Sequence, residues 1–172
     1  MHRITAKLLA TTLLLIAFSV PVVAGDHPAT TDDQIESLTN MCSETASDRA
    51  DRQASESLYD RLGGYDRILE LTREIVRRHE KNPVIIPMLE NVDSENLARH
   101  VADFVAAGTG GTTKYTGRSL PASHAHLALT DADFLSAGGD IVSSMQFLGY
   151  GQNEIDEFMC IMLSLKDQVV FK

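Results

Sequence analysis

An all-α domain is what this sequence predicts, and three observations carry the prediction. Apolar residues recur at helical spacing in several segments, glycine and proline pairs separate those segments, and nothing alternates at period two for long enough to make a strand. Two long C-terminal helices follow several shorter ones, a pattern that suggests helices arranged around something rather than a simple bundle.

The elements follow in chain order. Glu56 to Leu62 is a short helix closed by Gly63-Gly64, since glycine suits the left-handed turn that ends a helix. Tyr65 to Lys81 places Ile68, Leu69, Ile75 and Val76 on one side, with Thr72 and His79, until Asn82-Pro83 stops it. Asp93 or Ser94 can cap the next helix, whose stripe is Leu97, Val101, Phe104 and Val105 and whose end is marked by Gly108, Gly110 and Gly111. A turn-rich stretch runs to Arg118, and Ser119 to Leu127 makes a short helix or a loose turn. Thr130 caps a longer helix carrying Phe134, Ile141, Val142, Met145 and Leu148, with Asp131 and Asp133 near its positive end. Gly149 to Gly151 break it. The last helix begins at Asn153 or Glu154 and buries Ile155, Phe158, Met159, Met162, Leu165 and Val169.

Two segments precede this domain. Residues 1–24 have a positive start (His2, Arg3, Lys7), an apolar run from Leu8 to Val20 broken by Pro21, and Val22-Val23-Ala24 before Gly25, the pattern of a signal peptide. No second apolar stretch approaches the ~20 residues that cross a bilayer. Removing Arg3 and Lys7 leaves 13 bases against 24 acids, a net charge of −11. An acidic chain without a basic patch argues against nucleic acid and anionic membrane partners. Residues 25–55 are polar and read as a flexible arm, mostly disordered, with one helical turn available at Ile35, Leu38 and Met41. Residues 56–172 then form one domain. Cys42 in the arm and Cys160 near the C-terminus either pair, which an oxidising compartment favours, or stay apart, with Cys160 as a small buried apolar residue.

The chemistry narrows to histidine. There is no nucleophile elbow, Gly-rich phosphate loop or His-Glu-x-x-His pattern, and the acids spread over solvated helix faces. His2 falls in the leader and His27 in the arm. His79, His100, His124 and His126 remain. His100 borders an apolar stripe, and His124 sits in a short Ala/Ser-rich segment between stronger helices. A lone histidine beside an apolar face is more often a hydrogen-bonded boundary residue than a ligand, so spacing alone names no cofactor.

The ordered landmarks do more. Ser57-Leu58-Tyr59-Asp60-Arg61-Leu62-Gly63-Gly64, Asn82-Pro83, Gly110-Gly111, Tyr115-Thr116-Gly117-Arg118-Ser119 and the segment from Leu127 to Phe134 occur in sequence and at fitting intervals. Over residues 56–171 the chain thereby resembles a group I truncated globin. The resemblance implies a two-over-two helical sandwich around haem b, with His124 as the proximal iron ligand. It places His126 at no ligand position. It sets Lys114, Tyr115 and Arg118 at the haem edge, where the two cations either meet propionates or remain solvated surface. The absence of Cys-x-x-Cys-His gives no sign of c-type attachment.

The distal side departs from the family. The usual tyrosine of the second helix is Val76, preceded by Ile75. The polar distal-helix positions are Leu97 and Val101, and the usual phenylalanine pair is Met88-Leu89. The pocket is therefore expected to lack donors for a diatomic ligand such as oxygen or nitric oxide. His100 matches a position from which some members coordinate iron, which would give a bis-histidine haem suited to electron transfer or redox sensing with a redox partner; otherwise it faces solvent or a propionate. Nitric oxide detoxification is a further expectation, and a degenerate globin without haem is a third reading.

Overall fold

The computed structural model describes residues 28–172, and the leader expected at residues 1–24 lies outside them. Among the described residues eight α-helices follow one another: α1 (Thr31–Glu44), α2 (Ala46–Ser55), α3 (Leu58–Arg61), α4 (Gly64–His79), α5 (Ser94–Gly108), α6 (Leu120–His124), α7 (Asp131–Phe147) and α8 (Gln152–Ser164). Among the described residues, β pairing is confined to an isolated parallel bridge between Leu129 and Val170. No helix there is long and apolar enough to cross a membrane.

Most helix starts lie where the sequence puts capping side chains. Ser57 accepts from the Asp60 amide, Asp93 from Asn96, and Thr130 from Asp133, whose carboxylate in turn accepts from the Thr130 amide. Each such cap satisfies a helix amide that would otherwise lack a partner. Between α3 and α4 the backbone turns at Gly63 with φ of +88°, a conformation that costs a residue with a Cβ about 1–2 kcal/mol.

Helix α4 packs on α5 and α7, and α7 on α8, which forms the two-over-two sandwich. The α4–α5 contact is close because α5 presents small residues to it. Ala98, Ala102 and Ala106 are essentially fully buried on one face of α5, and the buried Thr72 hydroxyl donates to the Ala98 carbonyl at 2.9 Å. Tyr65 adds a bond from its hydroxyl to Asp103 at 2.8 Å. Leu58, Leu62, Ile68, Leu71, Met145, Ile155 and Phe158 complete the core around these contacts.

Three expectations are corrected. Residues 31–55, read as a mostly disordered arm, are helical: a Thr30–Asp33 capping box starts α1, and α1 lies against α7 and α8. Cross-linking is the physical reason the polar composition misled, since Cys42 is bonded to Cys160 with their Cα atoms 5.5 Å apart. The first core helix is shorter than Glu56–Leu62, because Glu56 is extended and Ser57 is the cap. The last helix stops at Ser164, and a short 3-10 turn over Lys166–Gln168 carries the chain away before Val169.

Candidate functional site

The His124 segment is built from little. Helix α6 has five residues, with Ser119 as N-cap and Pro121 in its first turn, where a missing amide costs nothing. A 3-10 turn over Ala125–Leu127 follows, and Ala128 then takes a left-handed conformation at φ +51°. The His124 Nδ1 lies 2.8 Å from the Leu120 carbonyl oxygen. A carbonyl can only accept, so Nδ1 carries the proton and donates. In the neutral ring this leaves the lone pair on Nε2, the arrangement a metal-ligating imidazole requires. The side chain is half-buried, whereas His126, two residues on, is exposed.

Helix α5 supplies an apolar face beside its alanine face. Leu97, Val101 and Phe104 lie at i, i+4 and i+7 and are half-buried. His100 is exposed on the flank of that face, one turn from Leu97 and from Phe104. Tyr115 meets Phe104 edge to face, with ring centroids 5.2 Å apart, and its hydroxyl donates to the Arg118 carbonyl at 2.7 Å. Lys114 and Arg118 are exposed on either side of this packed tyrosine. Val76 is buried in α4 and brings no polar atom.

His79 has a different task. Its Nδ1 donates to Asp140 of α7 at 2.8 Å, and the same carboxylate oxygen accepts from the Asn82 side chain at 2.9 Å. Asn82 also donates to Ser136 at 3.0 Å. His79 thus joins the end of α4 to α7. The Asp140 and Ser136 partners were not read from the sequence. They lie 61 and 54 residues from the groups they meet, and no local pattern links them. Earlier in α4, hydrogen bonds from Arg77 and the nearby charge of Arg78 hold the buried Glu74 carboxyl below its ordinary value near 4.5.

A two-over-two helical sandwich of this kind is the fold of a globin-type protein. Comparison with known proteins agrees. The model of the bacterial-like globin family matches residues 57–171. A group 1 truncated hemoglobin from Nostoc sp. (strain MUN 8820) is 22% identical over 116 residues, covering 67% of this chain and 98% of the relative. The 2/2 hemoglobin from Synechococcus sp. PCC 7002, solved in the cyanomet state with covalently attached heme, superposes with a TM-score of 0.61 at 28% identity, covering 65% of this chain and 94% of that one. Truncated hemoglobin from Tetrahymena pyriformis in its Fe(III) form gives a TM-score of 0.65 at 17% identity, covering 68% and 100%; at that identity the likeness concerns the fold. The chain belongs to the bacterial-like globin family, as a truncated globin of group I.

Membership makes haem the implied cofactor, and the residues present fit it. His124 offers a free Nε2, and the half-buried face of Leu97, Val101 and Phe104 offers apolar surface of the kind a porphyrin covers.

Proposed function

We propose that this protein carries haem b, with His124 as the proximal ligand, and that it takes a diatomic ligand such as oxygen or nitric oxide. The observation that supports this reading most directly is the bond from His124 Nδ1 to Leu120, which orients the ring and leaves Nε2 for iron. When bound, the haem supplies the iron at which a gas is taken. The chain's own residues do the rest. Leu120 fixes the ring and its tautomer. Leu97 and Val101 exclude water without offering a donor, and Val76 of α4 stands where the family resemblance implies a tyrosine hydroxyl. A partly negative ligand would therefore be held weakly. Lys114 and Arg118 suit the propionate carboxylates.

A second reading is favoured by the position of His100. It is a polar side chain flanking the Leu97–Val101–Phe104 face, and on iron it would give a six-coordinate protein for electron transfer or redox sensing with a redox partner. The absorption spectrum of the reduced, ligand-free protein tests both readings. A five-coordinate high-spin form supports the first, and a low-spin form that His100→Leu abolishes supports the second. His124→Ala is expected to remove stable haem binding. Histidine ligation that survives this substitution would show that the ligand is elsewhere, and the lack of a Soret band after reconstitution of the wild type with haemin would remove the haem reading altogether.

Export to the periplasm or beyond belongs to the same proposal. The composition of residues 1–24 supports it, and the Cys42–Cys160 pairing suits an oxidising compartment. N-terminal sequencing of the mature protein is expected to begin at Gly25; a mature chain that retains Leu8–Val20 contradicts it.

A further inference from the structure

We infer that the C-terminal tail, residues 166–172, positions His124. The inference rests on His124 being the iron ligand, and it concerns what holds that residue in place. Helix α6 and the 3-10 turn after it contain no buried residue, and five residues are far too few to form a helix unaided in water. The fixed point on the C-terminal side is Leu129. It is buried, it bridges Val170, and its carbonyl accepts from the amides of Phe171 at 3.0 Å and Lys172 at 3.2 Å. One residue beyond Thr130, Asp131 receives the Lys166 ammonium at 2.7 Å. The 3-10 turn Lys166–Gln168 also packs against α6 itself.

Backbone bonds, one ion pair and direct packing thus join the tail to the segment on and beyond His124. Leu129 is five residues from His124, and the intervening chain is a single turn closed by Ala128. A shift of the tail is therefore a shift of the imidazole. Lys166 and the backbone of residues 170–172 act through the segment and touch neither ring nitrogen. They are positioning elements that set the histidine before any cofactor arrives.

Two variants test this: removal of residues 166–172, and Lys166→Ala with Lys166→Arg as its rescue. The first readout is amide hydrogen exchange over residues 120–130 in the haem-free protein, with far-UV circular dichroism to establish that each variant is folded. Removing the tail is expected to speed exchange there about tenfold or more, because the segment loses the contacts that close it. Lys166→Ala is expected to speed it about threefold, the scale of a partly exposed ion pair, and Lys166→Arg to restore it. The second readout is the iron–histidine stretching band of the reduced haem protein, which is expected to shift or broaden in the same order. Unchanged exchange in the folded Lys166→Ala variant overturns the inference. So does faster exchange with an unmoved band, since the tail would then brace the segment without setting the ligand. His124→Ala, measured in parallel, isolates the underlying reading: if ligation survives it, the ligand assignment has failed independently of the tail.

Discussion

At the scale of single residues, the site depends on a few atoms whose chemistry leaves little choice. The His124 Nδ1 faces a carbonyl, so its proton is placed and the other nitrogen is free. Gly111 is required by close approach: a Cβ there would lie 2.8 Å from the Ala106 carbonyl oxygen and 2.6 Å from the Tyr59 ring. Ala128 is the opposite case. It holds φ at +51° with a Cβ, at the end of the turn that carries His124. The left-handed conformation costs an L-residue about 1–2 kcal/mol, and glycine's extra chain entropy costs about 0.5–1 kcal/mol. The first term exceeds the second, so Ala128→Gly is expected to stabilise the protein by about 0.5–1 kcal/mol. Urea denaturation measures it, and a lower midpoint at unchanged slope would contradict it.

At the scale of elements, helix α1 shows how a cross-link substitutes for a core. None of its residues is buried, and its apolar contacts are the half-buried Ile35, Leu38 and Met41. Three half-buried side chains are a small apolar contact for fourteen residues, each of which loses backbone entropy on folding. The Cys42–Cys160 bond spans 118 residues, and closing a loop of about that size removes some 4–5 kcal/mol of unfolded-state entropy on the chain-entropy account. Cys42→Ser is expected to destabilise the protein by about 2–5 kcal/mol and to make residues 31–55 sensitive to protease while the domain after Ser57 stays resistant. Cleavage in that segment as slow as in the oxidised wild type would show that packing alone holds α1. A half-buried ion-pair group centred on the buried Glu157 contributes nearby: Arg61 bonds Glu154 at 3.0 Å and Glu157 at 2.8 Å, and Arg52 of α2 lies 3.5 Å from Glu157.

The whole molecule is acidic, and its response to pH follows from where its carboxylates sit. Glu74 is buried, hydrogen-bonded by Arg77 and close to Arg78, and its carboxyl is held below its ordinary value near 4.5. A group whose folded pKa is depressed stabilises the fold above its unfolded pKa, and that contribution disappears as pH falls through the folded value. The contribution of Glu74 is therefore expected to be constant above about pH 4.5 and to be lost as pH falls below it, with a shallower acid fall in Glu74→Gln. Urea midpoints measured from pH 7 downward check this. An equally steep acid limb in the variant would place the titrating groups elsewhere.

Much of the molecule was legible in the chain because it rests on local chemistry. Capping side chains at Asp93 and Thr130, breaks at Asn82-Pro83 and Gly149–Gly151, and helical spacing from α4 to α8 need only neighbours a few residues away. The sequence by itself therefore determined the all-helical class, most helix boundaries and, through ordered landmarks, the globin family. Its reading of the distal positions as apolar concerns residue identities, which folding does not alter. Tertiary structure decided the rest. It settled whether Cys42 meets Cys160, made the polar stretch from Thr31 to Ser55 helical, and placed Val170 beside Leu129 and Lys166 beside Asp131. Those contacts join residues 35 to 118 positions apart. Periodicity and capping act within a few turns and carry no information about which distant surfaces meet, whereas packing and cross-linking act only once the chain has closed on itself.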